Sequence, residues 1–142
     1  TTVSDAGLTL EIDFLAIDSI GCSFEQLALT VPAMNGAAFD ALKTWAQGLS
    51  RRITYLLEQV GPLEFDEPAG EVLIRSTPPS QLPAGAQYYE ILLQSHGGGR
   101  FTLCRYESTK GQAGRKLTPL TLTHEVLLKL VDDLVDTIPS TP

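Results

Sequence analysis

The chain has 142 residues, 43% of them hydrophobic and 19% charged, a composition that excludes a disordered polymer and allows a buried core. Its formal net charge of -7 argues against a strong, sequence-blind nucleic-acid binder. No apolar run approaches the ~20 residues of a membrane helix, and two cysteines are too few for a disulfide scaffold or a metal knot.

The opening "TTVSDAGLTLEID" lacks the basic segment and apolar core of a signal peptide, so a cytoplasmic location is expected. In "LTLEIDF", Leu8, Leu10, Ile12 and Phe14 alternate with Thr9, Glu11 and Asp13, the period of a half-buried strand. "SFEQLALTV" repeats the pattern with Leu27, Leu29 and Val31; Ser19 to Gly21 supplies the turn between the two strands, and Pro32 ends the second. Asn35 is then placed to cap a helix. From Phe39 through Leu42, Trp45, Ala46, Leu49, Ile53 and Leu56 to Val60, spacings of three and four predict one long helix, stopped by Gly61-Pro62. Gly48 inside it costs about 1 kcal/mol against alanine and points to close packing on another element.

"LEF" and "EVLIRS" flank "DEPAG" as a hairpin, and "TPPSQLPAGA" reads as an irregular loop. "QYYEILLQS" and "RFTLCRYES" flank "HGGG", where glycine supplies the positive φ of a tight hairpin. After the loop "TKGQAGRK" and an extended "LTPLTL", Thr123 caps a last helix whose first turn carries Glu125 and whose buried stripe is Leu127, Leu130, Val131, Leu134 and Ile138. Cys22 and Cys104 fall in strand sequence and are expected to be small buried apolar residues, with a mutual disulfide as the alternative.

The order strand, strand, helix, four strands, helix carries no parallel βαβ rhythm. The expected class is α+β, with antiparallel sheets packed on two amphipathic helices in one domain spanning 1–142. "LALTVPAMNGAAFDAL" and "PLTLTHEVLLKLVDDL" both run from an extended "LT" segment into a helix, which suggests two related half-units, about 8–60 and 63–138.

Catalytic chemistry finds little to stand on. The glycine run of "HGGGR" lies between two strands, where a phosphate cradle needs a strand followed by a helix, and no "GxSxG" elbow accompanies it. His96 and His124 are the only histidines, too few for a zinc site and expected at the surface. Asp132, Asp133 and Asp136 fall on the last helix opposite Leu130 and Leu134, the place of a hydrated polar face. No enzyme, metal or cofactor is expected.

Charge asymmetry is the sharper lead. Arg100, Arg105, Lys110, Arg115 and Lys116 lie in seventeen residues with Glu107 the one acid among them, giving this stretch +4 and leaving -11 on the rest. Tyr88, Tyr89, Phe101 and Tyr106 are near in sequence. Cations beside rings suit the backbone and bases of single-stranded nucleic acid; an ordinary solvated loop over core aromatics is the alternative. Because Phe101, Leu103 and Arg105 share one side of their strand and Cys104 and Tyr106 the other, Arg105 and Tyr106 are expected not to serve one ligand together.

From Tyr88 to Ile138 the chain resembles the single-stranded-DNA-binding transcriptional regulators that include positive cofactor four and the plant Whirly proteins. The residues that carry the likeness are "YYEILLQSHGGGRFTLCRY", "GQAGRK" and "LTPLTLTHEVLLKLVDDL", with Gly114 to Lys116 ahead of Leu122-Thr123. "LTP" shifts the spacing by about two residues, and no "KGKAA" segment is present. The resemblance implies a homodimer or higher homo-oligomer formed through the helices and a transcription-related role. It implies single-stranded DNA or RNA held by Arg100, Arg105, Lys110, Arg115 and Lys116, with Tyr88 and Tyr106 as stacking platforms. An acidic protein-interaction or adaptor domain is the competing expectation.

Overall fold

In the computed structural model, which describes residues 1–53, 55, 60–76, 80–82, 85–109, 111 and 113–139, the chain reverses first at Ala6-Gly7. Both residues have positive φ, 50° and 80°, the geometry of a two-residue hairpin turn. This turn joins β1 (Thr2–Asp5), a strand the alternation pattern did not foretell, to β2 (Leu8–Ile17). The next turn forms around Asp18, whose Oδ1 accepts from the N–H groups of Ile20 and Gly21 at 2.8 Å each. Those donors, Gly21 first, hold its carboxyl below the usual value. β3 (Gly21–Thr30) follows.

The remaining strands are β4 (Val60–Asp66), β5 (Glu71–Ser76), β6 (Ser80–Leu82), β7 (Gly85–Gln94), β8 (Arg100–Thr109), β9 (Lys116–Thr118) and β10 (Leu120–Thr123). All ten strands form one antiparallel sheet with the main order β1-β2-β3-β8-β7-β5-β4. The long strands divide their second edges. β3 gives Gln26–Thr30 to β8 and Gly21–Phe24 to β10. β8 gives Arg100–Cys104 to β3 and Arg105–Glu107 to β9. β7 gives Glu71–Arg75 of β5 its Glu90–Gln94 half and β6 its Gly85–Gln87 end. Among the described residues, the far half of the β7–β8 hairpin is therefore flanked by β6 and β9 alone. Pro119 separates β9 from β10; lacking an N–H, it falls where the chain leaves one ladder for another.

Both helices, α1 (Phe39–Arg52) and α2 (His124–Asp136), cover one side of the sheet. Leu42, Trp45, Ala46 and Leu49 of α1 and Leu130 and Leu134 of α2 pack on Leu27, Leu29, Ile91, Leu93, Phe101 and Leu103. A Cβ on Gly48 would lie 3.6 Å from Thr137 just past α2, an ordinary van der Waals distance, so the close packing expected there does not require glycine. Gly97, Gly98 and Gly99 all have positive φ in the β7–β8 turn, and a Cβ on Gly99 would collide with the Val31 carbonyl oxygen. Thr123 caps α2 as expected, accepting from the Val126 N–H at 3.2 Å. Cys22 and Cys104 are buried free thiols.

Several expectations are corrected. The first helix ends at Arg52, and Val60 and Gly61-Pro62 belong to β4, where an irregularity in the β4–β5 pairing between Val60 and Leu63 accommodates the proline. Leu56 lies outside the described residues. Ala38, not Asn35, occupies the N-cap position of α1, and no side chain caps that end. Asn35 closes a single 3-10 turn (Pro32–Met34), and its Oδ1 accepts from the Gly98 N–H at 3.2 Å. The "TPPSQLPAGA" loop contains β6, and "LTPLTL" is two strands, so the order is three strands, helix, seven strands, helix. His124 is tied by Nε2 to the Asp18 carbonyl at 2.7 Å, not free in solvent.

Asp133 is the correction with the largest consequence. It is buried between the helices, where it accepts from Tyr55 Oη at 2.7 Å and Arg52 Nη1 at 3.3 Å, with Lys129 Nζ at 3.5 Å. Burial, then the hydrogen bond to Asp133, pushes the Tyr55 phenol well above its ordinary value. An unfolded chain ionises this phenol near pH ~10 and the folded one does not. Stability is accordingly expected to be full below that pH and to fall as pH rises above it. Urea melts of Tyr55→Phe should show a shallower alkaline decline. Tyr106, whose phenol burial also raises, and the two buried thiols, raised mainly by burial as well, leave a residual slope.

Candidate functional site

Register sorts the predicted site residues onto two sides of the β7–β8 hairpin. Tyr88 pairs with Tyr106 and Glu90 with Cys104 on the side away from the helices; Tyr89 pairs with Arg105 on the helix side, in line with Ile91 and Leu103. As expected from the alternation, Arg105 and Tyr106 do not share a surface. Arg105 stacks on the Tyr89 ring, 4.3 Å from its centroid, and its Nε and Nη2 each donate to Gln87 Oε1 at 3.4 Å.

On the other side Arg115 closes a network. Its guanidinium lies 3.8 Å from the Tyr106 ring centroid, Nη1 donates to Tyr88 Oη at 3.3 Å, and Nη2 donates to Glu90 Oε1 at 3.0 Å. Nη1 also makes a close contact with Glu90 Oε2. The Tyr88 and Tyr106 rings are tilted 33° with centroids 6.1 Å apart. Glu90, only 8% exposed, accepts from Arg75 Nε at 3.2 Å as well. These bonds to Glu90 raise the Arg115 pKa further and fix its charge as one half of a pair. Arginine therefore occupies a face of the Tyr106 ring, and its positive charge is matched by a carboxylate.

The other predicted cations lie apart. Arg100 is on the same side as Tyr106 but six residues along β8, about 20 Å away at ~3.3 Å per residue. Lys116 is exposed on β9 with Glu107 in register beside it, and neither Lys116 nor Arg100 has an ion pair among the described residues. Lys110 lies outside the described residues. The structure thus brings Tyr88, Tyr106 and Arg115 together and separates Arg100, Arg105 and Lys116 from them.

A different surface gathers acidic and exposed aliphatic side chains. Asp5, Glu11, Asp13, Asp18 and Glu25 all lie on β1–β3 or their connections, and no lysine or arginine precedes Lys43. β1 covers the outer edge of β2 only over Leu8–Glu11, so Asp13–Ile17 is an open edge among the described residues. Leu15, Ile17 and Ile20 are exposed there, Ile20 by 74%. Beside them an open groove of about 420 Å³ runs over Ala16, Ser23 and Thr121, with Ile20 and Asp18 at its rim. The uninterrupted acidic run before Lys43 is the sequence signal that would have found this surface.

Among the described residues no cluster of three or more His, Cys, Asp or Glu is set to hold a metal ion, and no helix is long and apolar enough to cross a membrane. No family model, curated protein or solved structure matches the chain.

Proposed function

We propose that this chain is a non-catalytic protein-interaction domain that works through the acidic β1–β3 side of its sheet. The observation that carries the reading is the coincidence of four carboxylates, Glu11, Asp13, Asp18 and Glu25, with three exposed aliphatic side chains around a strand edge that is unpaired among the described residues, in a stretch of sequence without lysine or arginine. Exposed apolar groups in a polar frame are the usual mark of a recognition surface, and single-sign charge speeds and selects the encounter. The pairing of Arg115 with Glu90 supports this choice over the hairpin as the main binding surface.

A second reading, single-stranded nucleic acid at the β8–β9 end, rests on exposed Lys116, which is held in no ion pair among the described residues. One experiment separates the two. A photoreactive residue is placed at Leu15 in one variant and at Lys116 in another, and both are illuminated in lysate. Discrete protein adducts at position 15, absent when the residue is placed at Phe65, are the expected result. Nuclease-sensitive adducts at position 116 with nothing at 15 would replace the first reading with the second.

A further inference from the structure

The β2 edge between Asp13 and Ile17 has two faces of opposite character. Ile12 is the last β2 residue whose backbone is met from that side, its N–H donating to the Thr1 carbonyl at 2.9 Å. Beyond it the edge carries no strand among the described residues. Register assigns the faces. Phe14 pairs with Phe24 and Ile17 with Cys22, both in the core cluster, so Phe14 and Ile17 lie on the helix side. Phe14 is only half-buried and Ile17 is 62% exposed, so the apolar face of the sheet runs past the cover that the helices give it. Glu11 pairs with Ala28, and Ala28 with Thr102, which alternates with the core residues Phe101 and Leu103. Glu11, and Asp13 two residues on, therefore lie on the face away from the helices. Ala16 follows on that face, paired with Ser23, and its small side chain leaves open the groove over Ser23 and Thr121. Glu11 and Asp13 are exposed and enter no ion pair among the described residues. Arg100, on the same face, stands two strands away from Thr9, beyond Thr30.

Resting on the interaction reading above, we infer that the Asp13–Ile17 edge accepts an extended segment of another protein as an added strand, apolar on one face and lysine- or arginine-bearing on the other. Backbone pairing holds the segment in place. Its apolar side chains lie beside Phe14 and Ile17 and lengthen the core. Its cations lie beside Glu11 and Asp13, with an aliphatic stem over Ala16 and the groove. The β2–β3 pairing slips on either side of Phe14, which twists this end of the edge and keeps the added strand short. Charge decides the occupant. A second copy of this chain, paired through the same edge, would bring its own Glu11 and Asp13 to the open face, and like charges side by side repel. Nucleic acid would bring phosphates to the same carboxylates. A basic segment turns the same charges into attraction.

The test uses the intact chain and a short fluorescein-labelled peptide of alternating leucine and lysine, read by anisotropy at low and physiological ionic strength. Beside it run an alternating leucine–glutamate peptide and a peptide with the same leucines and lysines in two blocks. Wild type is expected to bind the alternating leucine–lysine peptide alone, and less tightly as salt rises. Ile17→Ser and Asp13→Lys, both at exposed positions, should each weaken binding roughly tenfold, and Asp13→Lys should bind the leucine–glutamate peptide. Leu117→Ser on β9 should leave binding unchanged. Two further peptides carry N-methyl groups on every leucine or on every lysine. Because alternate residues of a strand turn their N–H groups to opposite edges, one set should abolish binding and the other spare it. The inference is overturned if the alternating leucine–lysine peptide does not bind, if the block peptide binds as well, or if the two methylated peptides behave alike. It is also overturned if Ile17→Ser and Asp13→Lys bind like wild type, or if wild type is a dimer that Ile17→Ser dissolves. In each of these cases the interaction reading survives while position 15 still gives protein adducts in the crosslinking experiment; if it gives none, that reading itself has failed.

Discussion

Trp45→Ala is expected to cost about 3–5 kcal/mol, the largest loss from any single truncation considered for this chain. Trp45 is fully buried at the centre of α1, with its ring 6.3 Å from that of Phe101 on β8, so it joins the helix layer to the middle of the sheet. A cavity there cannot be closed by a flexible surface group, because Leu42, Leu49, Leu93 and Leu103, also wholly buried, belong to the same core cluster. Trp45→Phe should behave differently. Indole Nε1 is buried and finds no acceptor among the described residues, so phenylalanine removes an uncompensated polar group while leaving a smaller void. We expect it to cost about 1 kcal/mol or less by the same reasoning. Denaturant melts of the two variants check this; equal losses would mean that the indole N–H is a stabilising donor. Set against a typical total stability of roughly 5–15 kcal/mol, the alanine variant would be near the edge of folding.

The part of this core written in alternation could be read from the sequence. Ile12 on β2, Leu27 and Leu29 on β3, and Phe101 and Leu103 on β8 are buried as their period-two spacing demands. The Thr123 cap also announced its helix, because hydroxyl capping is a local interaction complete within four residues. The end of α1 was illegible for the opposite reason. Ile53 is fully buried but already outside the helix, and Val60 in β4 happens to fall where a continued helical stripe would put it. Spacing records that a side chain is apolar, not which element buries it. Asp133 misled for a related reason. Its acid partners nothing within α2 except Lys129, and its burial makes sense only when Arg52 and Tyr55 arrive from the end of the other helix and beyond.

Those limits bear directly on the cationic stretch. A count of charges along the chain treats Arg115 as free, yet its counter-charge, Glu90, lies 25 residues earlier and reaches it only because β7 and the loop before β9 meet on one side of the hairpin. The acidic surface was passed over because absence is a weak signal: forty-two residues without a lysine or arginine contain no motif, and their meaning depends on β1, β2 and β3 lying side by side at one edge.

Glu90→Gln separates the structural role of that network from any role in binding. Glutamine keeps the shape of the side chain but leaves Arg75 and Arg115 without their shared carboxylate. Removing one partner of a fully buried pair costs about 3–5 kcal/mol; here the arginine side chains are 46% and 36% exposed and can turn to water, so about 2 kcal/mol is expected. The loss should be uneven. β9 is held to β8 by only three register pairs, Arg105 with Thr118, Tyr106 with Leu117 and Glu107 with Lys116, and the Arg115–Glu90 contact fastens the chain just before them. Hydrogen exchange at residues 116–118 should therefore quicken more than at residues 101–103, which are paired on both edges by β3 and β7. The same variant also bears on nucleic acid. Releasing Arg115 adds one available cation, so if single-stranded oligonucleotides bind at this end, their affinity should rise and its logarithmic salt slope steepen by about 0.7. If Glu90 serves only to anchor β9, exchange will quicken while oligonucleotide binding stays at the wild-type level, and that is the outcome expected when recognition belongs to the acidic side of the sheet.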